Sequence, residues 1–148
     1  MEKFEFNEGI YEGEAIDNIP NGKGRLVFEE GYGYEGNFVN GEPHGLGRAW
    51  SPEGDLVEVE FVEGVPNGHG KVQMGNGDYY EGYFVNGMYQ GKGKFIYKRG
   101  DTYEGDFFEG KFHGRGKLSR ADGVVIMGEW RNDKFINYDT QLFKNKKN

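Results

Sequence analysis

The chain repeats itself every 23 residues, and no other feature limits its fold as tightly. Tyr-Glu-Gly begins at Tyr11, Tyr34, Tyr80 and Tyr103. The missing member of the series falls at Val57, and a sixth at Ile126. Glycine pairs keep the same period at Gly22 and Gly24, Gly45 and Gly47, Gly68 and Gly70, Gly91 and Gly93, and Gly114 and Gly116. Five units fill 11–125 and a half unit starts at 126. Of the 27 glycines, all but Gly9, Gly33 and Gly75 occupy one of five repeat positions. Glycine so placed is structural, unlike the glycine of a flexible linker.

Each unit reads as two short strands. Tyr80-Glu81-Gly82-Tyr83-Phe84-Val85 alternates with the strand period of two. Asn86-Gly87 then opens a loop running to Gly91, and Gly93-Lys94-Phe95-Ile96-Tyr97 forms the second strand. Arg99-Gly100-Asp101 turns the chain into the next unit. Asn-Gly and Asp-Gly pairs favour tight turns because both residues tolerate positive φ. Twenty-three residues holding two strands and two turns leave no room for a crossover helix. The fold class is therefore all-β: a single elongated antiparallel meander of stacked β-hairpins, about twelve strands and about 55 Å long. Residues 1–10 are expected to add an N-terminal cap strand, since Glu2-Lys3-Phe4-Glu5-Phe6 alternates. Residues 11–136 form the repeat array and 137–148 a C-terminal tail. Phe135, Tyr138 and Leu142 are spaced i, i+3, i+7, which predicts a short helix on the last hairpin.

Repetition turns each position into a row across the sheet. One face is expected to carry Tyr34, Tyr80 and Tyr103, with Phe38, Phe84, Phe107 and Trp130 in the next row. Leu26, Ala49, Val72, Phe95 and Leu118 join them from the second strands. A domain normally buries its apolar face between two layers. Loop residues Pro43, Pro66, Tyr89 and Phe112 are too few to cover such a strip, so it reads as an uncovered binding surface, with Trp50 among its anchors. The opposite face carries Glu12, Glu35, Glu58, Glu81 and Glu104 beside Arg25, Arg48, Lys71, Lys94 and Lys117. Cross-strand pairing would neutralise the two rows; alternatively the Lys/Arg row is a stripe for anionic lipid headgroups. In unit three Val57 and Val59 replace the tyrosine and glycine, and Ser51-Pro52 interrupts the passage to the turn. That departure is either a local irregularity or a bend shaping a partner site near Trp50.

Composition narrows the function. With no cysteine, disulfides and thiol chemistry are excluded. A net charge of -7 argues against nucleic acid as a partner. No apolar run reaches the roughly 20 residues of a membrane span, and the start lacks the apolar segment of a signal peptide. The expected location is cytoplasmic. His44 and His113 occupy the position held elsewhere by Asn21, Asn67 and Gln90, which predicts a shared polar hydrogen bond rather than catalysis. His69 stands where Lys23, Lys92 and Arg115 do. Ser51 and Ser119 sit in no nucleophile elbow, and Asn76-Gly77-Asp78 lacks the spacing of a calcium loop. No catalytic residue, cofactor or metal is expected.

Tyr-Glu-Gly-x-Phe-Val-Asn-Gly-x-x-x-Gly-x-Gly, as at Tyr80 to Gly93, resembles the MORN repeat. The resemblance implies a non-enzymatic module whose sheet serves as a scaffold, a dimerisation surface, a groove for peptide helices or a surface for phospholipid. It further implies a place in a cytoskeletal, ciliary or other large assembly. The expected partner is thus a protein: a peptide helix, a strand or a second copy of the chain.

Overall fold

A computed structural model describes residues 1–138. Thirteen strands follow in chain order within one sheet, every neighbouring pair antiparallel. They are β1 (Glu2–Phe6), β2 (Gly9–Ile16), β3 (Ile19–Phe28), β4 (Gly33–Val39), β5 (Glu42–Trp50), β6 (Leu56–Val62) and β7 (Val65–Gln73). The sheet continues with β8 (Tyr79–Val85), β9 (Met88–Ile96), β10 (Thr102–Phe108), β11 (Lys111–Ser119), β12 (Val125–Arg131) and β13 (Lys134–Tyr138). No described residue is helical.

Two turn types alternate. Inside each unit the strands are joined by two residues that both have positive φ, such as Asn40 and Gly41 at 50° and 86°, and Asn86 and Gly87 at 50° and 82°. This geometry matches the twist of a tight hairpin. Between units a longer turn closes with a backbone bond, as from Tyr97 N–H to the Asp101 carbonyl. From Asn40-Gly41 onward the tight turns also tie to the preceding hairpin: Gly87 N–H donates to Pro66 O and Gly110 N–H to Tyr89 O, both at 2.9 Å. Asp55, Asp78 and Asp101 do the same on the other edge, each accepting a backbone N–H 20 residues ahead.

The second strand of a unit begins earlier than its sequence suggests. Residues 88–91 are not a loop: β9 starts at Met88, directly after the two-residue turn. Phe84 therefore pairs with Tyr89 and Phe107 with Phe112. The register then breaks. Tyr83 alone faces Gln90, Gly91 and Lys92, before Gly82 pairs with Gly93. Gly91 takes φ +73° within this bulge, where two extra residues re-aim the strand.

The expected C-terminal helix does not reach back to Phe135 and Tyr138. Phe135 and Tyr138 lie in β13; Leu142, with the rest of 139–148, lies outside the described residues. Phe135 stands 23 residues after Phe112, and its pairing with Trp130 repeats that of Phe112 with Phe107. The repeat period, not the helical one, governs it.

Candidate functional site

The ring face is built on glycine. A continuous row crosses the sheet in register: Gly13, Gly24, Gly36, Gly47, Val59, Gly70, Gly82, Gly93, Gly105, Gly116 and Gly128. Each tyrosine ring lies flat across two of these glycines. A β-carbon at Gly93 would sit 2.8 Å from both Cε1 and Oη of Tyr80. The ring points at the bulge, and its hydroxyl donates to the carbonyl of the residue that lost its ladder partner there. Tyr34 donates to Asn37 O at 2.8 Å, Tyr80 to Tyr83 O at 2.8 Å and Tyr103 to Asp106 O at 2.7 Å. Tyr11 makes the same bond to Glu14 O. The sequence reading missed this pairing of tyrosine with bulge, although the fixed spacing from each tyrosine to its glycines carried the signal.

The rings also pack on one another. Tyr34 meets Phe38 and Phe61 edge-on at 5.0 and 5.1 Å. Tyr80 bridges Phe84 and Phe107 in the same way, and Tyr103 bridges Phe107 and Trp130. Such T-shaped contacts are the preferred aromatic geometry. Tyr89 then lies face to face on Tyr80 at 3.7 Å, and Phe112 on Tyr103 at 3.8 Å. These two residues, with Pro20, Pro43 and Pro66 at the same repeat position, add a second layer from within the one sheet.

This layer corrects the expected exposure of the aromatic strip. Tyr80 and Tyr103 are 0% exposed, and Tyr34, Phe38, Phe84, Phe107 and Trp130 are all buried. They form the core. Trp50, half-buried, does not belong with them. It follows Ala49, which faces Tyr34, so alternation turns its ring to the other side. There it lies over Gly33 and receives the Arg25 guanidinium at 5.0 Å from its centroid.

Burial has an ionisation consequence. Desolvation pushes the Tyr34 phenol up to about 12, with its bond to the Asn37 backbone partly opposing. Tyr80 and Tyr103 are raised further by the same cause. Unfolded tyrosine titrates near pH 10. The folded chain thus holds these protons more tightly, and stability is complete below about pH 10 and falls as pH rises through the folded values. We expect cooperative loss of the sheet above about pH 10, with circular dichroism and phenolate absorbance changing together. Free ionisation near pH 10 with the sheet intact would contradict this placement of the rings.

The opposite face carries an ionic ladder. In register it runs Lys3, Glu12, Arg25, Glu35, Arg48, Glu58, Lys71, Glu81, Lys94, Glu104 and Lys117, with signs alternating throughout. Arg25 reaches Glu35 at 3.2 Å and Lys3 reaches Glu12 at 3.6 Å. Of the candidate lipid-binding row, Arg25, Arg48, Lys71 and Lys94 each lie between two carboxylates, while Lys117 lies between Glu104 and Met127. Beside the ladder a second row pairs Lys92 with Asp106 across the strands, and His69 with Tyr83. One member breaks its chemistry: Leu46, opposite Glu60, is 73% exposed where other units hold Lys, His or Arg. Leu46 lines an open depression of about 640 Å³, with Lys23, Arg25, Glu35, Arg48 and Glu58 around it and Gly36 and Gly47 among its lining residues.

Four of the five predicted polar bonds form. Asn21, Asn67 and Gln90 accept from the Asn40, Asn86 and Glu109 N–H groups, and His44 Nδ1 accepts at a long 3.5 Å from Glu63. His113 is the exception, its buried Nδ1 lacking a partner. At that junction Asp133 Oδ1 accepts from Phe112 N–H instead.

No curated protein matches the chain. The family model described as the MORN repeat matches residues 11–31, 34–56, 60–79, 80–102 and 103–125. The gap at 57–59 holds Val57 and Val59, where the tyrosine and glycine are replaced. The chain therefore belongs to the MORN-repeat family.

Proposed function

We propose that this chain is a non-enzymatic repeat scaffold that docks a protein partner on its ladder face, at the depression around Leu46. MORN repeats form scaffolds for protein or membrane interaction, and the family is generally non-catalytic. The observation that carries the finer reading is Leu46 itself. An aliphatic side chain so exposed, ringed by charges of both signs, offers an anchor with an ionic rim, the anatomy of a protein interface. Arg25 and Arg48, with Glu35 between them and Glu58 beyond, would fix the partner's orientation more than its affinity. Membership of a cytoskeletal or ciliary assembly, and a cytoplasmic location, are part of the same proposal and rest on family resemblance. Anionic lipid is the weaker reading, since carboxylates interleave with the cations and cancel much of their attraction.

A photo-cross-linker at position 46, used in the native source, identifies the partner. Leu46→Lys then restores the residue type of Lys23 and Lys92 and places it opposite Glu60. It is expected to weaken capture of that partner by about tenfold, roughly the contribution of one apolar anchor, at an unchanged unfolding midpoint. Capture unaffected by Leu46→Lys would remove the depression as the site.

A further inference from the structure

The outer edge of β1 is unpaired among the described residues. An open edge of this kind is a template for another strand. We infer that it is the interface of a weak two-fold dimer, in which β1 pairs antiparallel with β1 of a second copy, centred on Phe4.

The short sequence Glu2-Lys3-Phe4-Glu5-Phe6 selects both the occupant and the register. Phe4 packs on Tyr11 and lies on the ring face with Phe6. Lys3 lies on the ladder face, bonded to Glu12, and Glu5 shares that face two residues on. A two-fold axis perpendicular to the sheet keeps each face with its like, so it must pass through one residue pair. Centring on Lys3 sets lysine against lysine, and centring on Glu5 sets glutamate against glutamate. Like charges directly opposite are destabilising. Centring on Phe4 sets Lys3 against Glu5 of the other copy, twice, and ring against ring. Lys3 would then lie between two carboxylates, as Arg25, Arg48, Lys71 and Lys94 do within the chain. The ring row would run on unbroken into the second molecule, while the ionic ladder would step sideways by two residues at the seam, because Glu5 stands opposite Ile10 in its own chain.

The other end is a poorer partner. Thirteen antiparallel strands leave β1 and β13 running the same way. Head-to-tail continuation of the sheet would need a parallel pair, slightly less stable per residue, and would generate open filaments rather than a closed dimer. Five residues a side bury well below the roughly 1,200 Å² of a stable interface, so the dimer is concentration-dependent.

Sedimentation equilibrium on the chain with nothing added before Met1, from about 10 µM to about 1 mM, tests this. The weight-average mass is expected to climb from 16.8 kDa toward twice that value and no further. Glu5→Lys leaves the Lys3–Glu12 pair in place and should weaken self-association at least tenfold. Lys3→Glu should do the same. Mixing the two single variants restores both cross-strand pairs, so the mixture should associate as well as the unaltered chain, as should the double variant Lys3→Glu with Glu5→Lys. Unfolding midpoints separate these effects from loss of fold: Glu5→Lys should match the unaltered chain, while the variants carrying Lys3→Glu should fall slightly below it, because that change sets a glutamate opposite Glu12. A mass that stays monomeric at about 1 mM overturns the inference, as does one exceeding a dimer, or association indifferent to Glu5→Lys.

Discussion

Alanine at Gly47 is expected to destabilise the sheet by about 3 kcal/mol, the upper part of the usual range for overpacking a core. The backbone there is in an ordinary extended conformation, so alanine is excluded by space alone. Its methyl would lie 2.5 Å from Tyr34 Cε2 and closer still to the hydroxyl. Tyr34 cannot yield. Its hydroxyl is held by Asn37 O, and its ring is wedged between Phe38 and Phe61. Moving the ring would break the bond at the bulge and both edge contacts. Gly91 supplies the contrast, with φ +73° and nothing within 4 Å of the added carbon. Alanine there should cost only the roughly 1 kcal/mol of a left-handed residue. Both are measured by chemical denaturation followed by circular dichroism. If Gly91→Ala proves the more damaging, the glycine row does not exist to admit the tyrosine rings.

That contrast separates what the sequence disclosed from what it hid. The 23-residue period gave the meander, the cap strand β1 and the two rows of opposite charge, because each depends only on spacing and alternation. Exposure was harder. Whether one sheet can cover its own rings depends on where Tyr89 and Phe112 point. That in turn depends on β9 and β11 starting directly after a two-residue turn. Asn86-Gly87 marks such a turn, but the glycine at position 91 also suits a longer loop, and only the register distinguishes them. The choice between a two-residue turn and a six-residue loop thus decided between a bare strip and a closed core. Trp50 and Phe135 were legible. Parity from Ala49 places the first on the ladder face, and adding 23 to Phe112 places the second in β13. In the first case the bulk of the side chain outweighed its position, and in the second a chance helical spacing did. Leu46 had a signal too, as the one apolar member of a polar row.

Unit three tests the same packing from the other direction. Val57 lacks the ring and hydroxyl of its counterparts, and Val59 stands where they have glycine. The two changes compensate. Val59 is 1% exposed, and a methyl on Gly70 would lie 2.5 Å from its Cβ. Its isopropyl group therefore fills the volume that Tyr34 and Tyr80 fill beside it. Val59→Gly alone should leave a cavity over Gly70 and cost about 3 kcal/mol, combining lost burial with added chain entropy. Val57→Tyr alone should force a ring against Val59 and cost about 2 kcal/mol. Made together they rebuild the arrangement of Tyr80 and Gly82, with the carbonyl of Glu60 at the bulge to accept the hydroxyl. The double variant should be about 3 kcal/mol more stable than the sum of the singles predicts, the coupling of residues that share one space. Additive costs would mean that Val57 and Val59 are independent drift, and that the tyrosine is not what the glycine row makes room for.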